Sequence, residues 1–274
     1  MPPPSSQPGD AGSSQRFPRL SVSHLLLLTL TVGFSLACIA PQIHDTLRMP
    51  DEVFRGRKWH SIAGTVAEYL STGIKLFGLI VLTRQWLRGP SWPLAPGHWF
   101  LLVAGPIALF NMADDLATPL VREHWFSNHW KAFDAANHII DASLLLASAL
   151  VGVRAALATT DRRWRICLGI LAVLLFDLTL LHAGKAIELS GYGRGVSFYT
   201  RHIIATWGNL HVSLALAILL AVSLEIATKT RRDWLHYLGL VAMFLDTVSI
   251  VLSFGPFLAK WWGDLFSHLS SWMS

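Results

Sequence analysis

The chain has 274 residues, of which 53% are hydrophobic and only 14% charged, with a mean hydropathy of +0.46. Soluble domains carry about 25% charged residues, so this balance points away from a water-soluble domain and toward lipid as the solvent. The formal charge of +5 is spread over loops without a basic stripe or interleaved aromatics, which speaks against nucleic acid as a partner.

Residues 1–19, "MPPPSSQPGDAGSSQRFPR", are rich in Pro, Ser and Gly and nearly devoid of apolar side chains, the composition of a disordered tail. Residues 20–274 then read as one transmembrane domain. A hydrocarbon core of about 30 Å needs about 20 apolar residues per helix, and runs of that length recur between short polar breaks. Alternating, strand-like segments are absent. The expected fold is therefore an all-α, polytopic transmembrane helical bundle of about seven spans.

The first span, Leu20–Ala40, is followed at once by Pro41. Ser35 and Ala37 are small residues suited to a signal-peptide cut, which would leave six spans; the length of the apolar run favours an uncleaved helix. Cys38 lies in this span and Cys167 in the fifth. Neither belongs to a CxxC or CxxH, so both read as small buried hydrophobes.

The second span, Ser61–Gln85, carries Ser61, Thr65, Glu68, Thr72 and Lys75 on one helical face. "RGPSWPLAPGH" after it reads as a plain loop. The third span, Gly97–Leu120, carries Asn111, Asp114, Asp115 and Thr118 at i, i+3, i+4 and i+7. "EHWFSNHWKAFD", with His124 and His129, has the aromatic content of a membrane-surface segment.

The fourth span, Ala135–Leu157, places Asp134, His138 and Asp141 on one face. The fifth, Trp164–Leu189, carries Asp177, then His182, Lys185 and Glu188 at three-residue steps. "SGYGRG" follows as a flexible loop. The sixth, Arg201–Thr228, aligns His202, Thr206, Asn209 and Ser213, with His211 about 180° away. The seventh, Trp234–Leu258, aligns Asp246, Ser249 and Ser253. Trp86, Trp99, Trp125, Trp130, Trp164, Trp234, Trp261 and Trp262 stand near span ends, where interfacial aromatic belts form.

Each intramembrane charge costs about 2.5–3.5 kcal/mol on insertion scales, so these stripes must face one another or water. They predict a polar seam inside the bundle, with Glu68 and Lys75, and His182 or Lys185 with Asp177 or Glu188, as neutralising partners within a helix; pairs across helices are expected ahead of these, with partners that sequence alone does not assign. Glu68, Lys75, Asp114, Asp115, His138, Asp141, Asp177, His202 and Asp246 are the candidate binding or proton-relay residues.

The leading functional expectation is the binding or movement of a small solute or protons through that seam. One alternative is a non-catalytic structural or assembly subunit of a membrane complex. A further alternative is an intramembrane metal-dependent enzyme, with Asp114, Asp115, His138 and Asp141 suited to Mn, Fe or Zn. HExxH, GxSxG and CxxC are all absent, so the reading leans away from an enzyme and assigns no cofactor. Expected partners are the lipid bilayer and other membrane proteins. The positive-inside rule gives eleven Lys and Arg on the N-terminal side against ten opposite, and the tight "DRRWR" and "KTRR" clusters favour an N-terminus inside.

Overall fold

In hydrocarbon no water satisfies the backbone, so each long apolar run must close its own hydrogen bonds as a helix. The computed structural model does this seven times: α1 (Val22–Arg48), α2 (Lys58–Arg88), α3 (Pro96–His124), α4 (Trp130–Ala158), α5 (Arg162–Leu189), α6 (Val196–Ala227) and α7 (Trp234–Met273). It describes residues 20–54, 56–89, 94–124, 130–191, 196–230 and 232–273, with side chains at 20–50, 52–54, 56–87, 89, 94–118, 131–191, 208–230, 232–253 and 255. All seven helices are long and apolar enough to cross a membrane, and no strand occurs among the described residues. This is an all-α, seven-span bundle of a multi-pass membrane protein.

The helices outrun the apolar runs in several places. α1 continues through Pro41 to Arg48, where Lys58 Nζ donates to the carbonyls of Leu47 and Met49 at 2.7 Å each and satisfies the helix end. α3 continues to His124, and α4 begins at Trp130, so residues 130–134 belong to a spanning helix rather than to a surface segment; residues 125–129 lie outside the described set. α7 has 40 residues, about 60 Å of helix and twice the hydrocarbon thickness.

α2 is the hub. It packs against α1, α3 and α7, while α4 and α5 form a tight hairpin and α6 joins α5 to α7. Three glycines let its neighbours approach closely. A Cβ at Gly73 would stand 2.6 Å from Val32 Cα of α1, one at Gly78 2.6 Å from Leu101 of α3, and one at Gly64 2.8 Å from Ser253 of α7. α1 buries little beyond that contact, and its Leu26 and Leu30 remain exposed, as do Leu150, Leu157, Ile166, Leu216 and Leu220 on the outer helices. These faces suit lipid contact.

The buried core is apolar: Phe77, Leu101 and Leu235 join α2, α3 and α7, and Phe100, Trp164, Leu168, Leu171 and Leu214 join α3, α5 and α6. Cys167 belongs to this core, whereas Cys38 is half-buried; both are free thiols. Trp86 is exposed as an interfacial residue should be, but Trp164 is fully buried, because its indole N–H finds a partner inside the protein.

Among the described glycines the tightest contact joins α3 to α7, where Gly97 and Gly239 pack backbone on backbone and a Cβ at Gly97 would overlap the His236 carbonyl. Gly97→Ala should therefore cost about 1–3 kcal/mol of overpacking. Gly169→Ala, a helical position with nothing within 4 Å of the added Cβ, should be neutral or stabilise by up to about 1 kcal/mol. Unfolding midpoints in detergent check both, and equal effects would contradict the packing.

Candidate functional site

Stripes on α2 and α7 turn toward each other near mid-membrane. Lys75 Nζ sits 2.6 Å from Asp246 Oδ2 and donates to Oδ1 at 2.8 Å, a two-pronged ion pair between part-buried side chains. The expected Lys75–Glu68 pairing within α2 is thus replaced by a cross-helix bond, because Asp246 alone meets the ammonium end-on. Glu68, two turns nearer the opposite face, is within electrostatic reach of Lys75, Asp246 and Asp115.

These groups line a chamber of about 400 Å³ between α2, α3, α4, α5, α6 and α7. Thr72 and Asn111 extend its polar wall on α2 and α3, and Ser249 and Ser253 extend it on α7. α5 supplies a facing wall of Leu171, Leu174, Leu175 and Leu178. α6 contributes buried His211, from the face set opposite the expected stripe. Its buried face runs through His211, Leu214, Ala215, Ile218 and Glu225, whereas Ser213 is exposed. Packing of the leucines and the Glu225 hydrogen bonds select that face over the hydroxyl stripe. The His202 side chain lies outside the described residues.

With the His211 imidazole neutral, charge in the chamber does not balance. Glu68 and Asp246 place two carboxylates beside one lysine, so the fully ionised trio holds one net negative charge in a low-dielectric region. Of the lining, Glu68, Asn111 and Ser253 are exposed; all three lie in the half of the bundle away from the N-terminus. A second cavity, of about 350 Å³ beside Trp86, Trp99 and Leu102, is lined by no ionisable residue among those described.

The remaining candidates form separate groups beyond the chamber. Asp114 accepts from Asn137 Nδ2 of α4 at 2.8 Å and from Thr118 Oγ1 at 3.2 Å. Asp115 accepts a hydrogen bond from Tyr69 of α2. His138 and Asp141 of α4 meet His182 of α5: His182 Nδ1 is 3.0 Å from Asp141 Oδ2 and 3.2 Å from His138 Nδ1. His182 therefore pairs across to Asp141 rather than along its own helix to Asp177 or Glu188. Asp177 stays apart, with its Oδ2 buried and unpartnered.

At the N-terminal end of the bundle lies a polar network that the sequence reading missed. Ala95 and Gly97, in the supposed plain loop, donate their N–H groups to Nδ1 of His98 and of His236, at 3.0 and 2.8 Å. Each ring therefore accepts at Nδ1 and directs Nε2–H at a carboxylate. His98 hydrogen-bonds to Asp233 at 2.8 Å, whereas His236 Nε2 stands 3.4 Å from Glu225 Oε2 without hydrogen-bond geometry. Glu225 also accepts from the Trp164 indole and from Arg232 Nε, at 2.9 Å each. Asp233 accepts the His236 N–H at 2.8 Å and so caps α7. His98, Asp233, His236, Glu225 and Trp164 are all buried. The signal was present as Asp–x–x–His before an apolar run and as Pro–Gly–His at a helix start, but only the tertiary fold joins them. The chain matches no family model, no curated protein and no solved structure.

Asp233 stands just outside the seventh span. Burial alone would raise its carboxyl, but the hydrogen bond from His98, with the His236 N–H, outweighs it and holds the group below its ordinary value. A depressed carboxylate stabilises the fold above its unfolded pKa of about 3.9, and that stability disappears as pH falls through the lower folded value. Melting midpoints in detergent should thus drop below about pH 4 in the wild type. Asp233→Asn should already be less stable at pH 7, by about 1–3 kcal/mol for buried donors that lose their carboxylate, and lose less on acidification. An acid loss equal in the two proteins would contradict this linkage.

Proposed function

We propose that this multi-pass membrane protein binds a small, positively charged solute, or a proton in its place, in the chamber around Glu68, Lys75 and Asp246. The observation that carries the reading is the charge count: two carboxylates share one lysine where an unbalanced charge is costly. A cationic group beside Glu68 restores neutrality, as does a proton on it. The size of the chamber suits a small molecule, with pockets of about 300–1,000 Å³ being usual for such ligands. The leucine wall of α5 would take the apolar part of an amine and the hydroxyl and amide groups of α2, α3 and α7 its polar part.

The apolar core between the chamber and the N-terminal network supports a site reached from the opposite side, with exposed Glu68 at its mouth. Movement of the solute across the bilayer would need that core to part. The basic clusters of the short loops around Arg163 and Arg232 favour a cytoplasmic N-terminal side, so the mouth would face outward.

A thermal-shift panel of small amines, carboxylates and neutral alcohols of matched size, applied to detergent-purified protein, tests the reading. Amines should raise the wild-type midpoint, by about 2.7 kcal/mol at a hundred times the dissociation constant, and Glu68→Gln should abolish the shift. Stabilisation by carboxylates instead, or an amine shift that persists in Glu68→Gln, would overturn it.

A further inference from the structure

We propose that His138, Asp141 and His182 form a binding site for one divalent transition-metal ion of the zinc or ferrous-iron class, separate from the chamber. Three ligand atoms converge from two helices: His138 Nδ1 and Asp141 Oδ2 from α4, and His182 Nδ1 from α5. Their separations are 3.2, 3.0 and 3.9 Å. The circle through the corners of that triangle, whose radius is the product of the sides over four times the area, has a radius of about 2.0 Å, which is a zinc–nitrogen or zinc–oxygen bond length. One point in the side-chain arrangement is thus already at bonding distance from all three atoms.

Protons alone satisfy this geometry poorly. His182 Nδ1 lies within hydrogen-bond range of both His138 Nδ1 and Asp141 Oδ2, and the single proton it carries cannot point at both. A cation between them engages all three lone pairs together. The outer nitrogen of His138 supports the same assignment: its Nε2 faces Asp134 Oδ1 at 3.9 Å, and a carboxylate on that side favours Nε2–H and leaves the Nδ1 lone pair for a metal. Lys185 is also within electrostatic reach of His138, so the two acids Asp134 and Asp141 together supply the charge that offsets it.

The donor set selects the ion. Two imidazoles and one carboxylate suit zinc or ferrous iron, whereas magnesium and calcium take oxygen ligands. Three protein ligands leave a coordination position open. The side chains of His138, Asp141 and His182 are 18, 20 and 24% exposed, enough for an ion to enter. Asp141 and His182 each stand one turn from a chamber-lining leucine, Leu145 and Leu178, on the most closely packed helix pair of the bundle.

The test strips detergent-purified full-length protein with chelator, reloads it with zinc sulfate, and measures bound zinc by mass spectrometry. A parallel cobalt titration reads the visible spectrum. Wild type and Asp114→Asn should each retain about one equivalent. His138→Gln combined with His182→Gln should lose it, and Asp134→Asn should weaken affinity about 10–100-fold. Loading should survive Glu68→Gln, so this site and the chamber stand or fall separately. Wild-type protein that retains no zinc, or a double variant that retains as much as wild type, overturns the proposal. If the double variant does not fold, the wild-type cobalt spectrum decides: the intense band of four- or five-coordinate cobalt supports the site, and the weak band of the aquated ion overturns it.

Discussion

An ammonium group near the middle of a bilayer must find an anion, and Lys75 finds Asp246 across the α2–α7 contact. The rest of the interior is arranged around that bond. Gly64 brings α7 close to α2 on one side of the pair, Gly73 and Gly78 bring α1 and α3 close on the other, and the apolar core closes beneath it. Pairing across helices rather than along one also fixes the relative rotation of α2 and α7. Ser249 and Ser253 then turn toward Thr72 and Glu68, and the chamber follows.

The two ends of the bundle use polar residues in opposite ways. At the N-terminal end most groups have a directed partner: imidazoles take backbone N–H groups, and carboxylates take imidazole, indole and guanidinium; Glu225 Oε2 and His236 Nε2 alone, among the buried atoms of the cluster, make no hydrogen bond. Such a lock orders the starts of α3, α5 and α7 against the end of α6. In the chamber a carboxylate is in excess and exposed. Satisfied groups hold a fold together, while an excess charge facing a cavity is what a ligand or a proton can act on.

Much of the architecture was legible from apolar run length alone, since lipid leaves helix as the only option for an unpaired span. The stripes of α2 and α7 were also legible, because Glu68, Thr72 and Lys75, and Asp246, Ser249 and Ser253, follow helical spacing closely. Partner choice was not. Lys75 could pair along its helix with Glu68 or across to Asp246, and only packing decides. The buried face of α6 was misread because its hydroxyl and amide residues sit on the side where leucine packing leaves Ser213 exposed. His98, Asp233 and His236 escaped notice because each lies at a helix end, where a polar residue is ordinary. A partner for His182 across helices was expected but could not be named, since nothing in a linear chain sets the register of the α4–α5 hairpin.

A double-mutant cycle on Lys75→Met and Asp246→Leu, read as unfolding free energy in detergent, tests the central claim that these two charges exist for one another. Lys75→Met leaves Asp246 uncompensated and should cost about 3–5 kcal/mol, Asp246→Leu should cost less because Glu68 stays within reach of the lysine, and the double change removes both charges and should recover most of the larger loss. Single costs that simply add in the double variant would contradict the account.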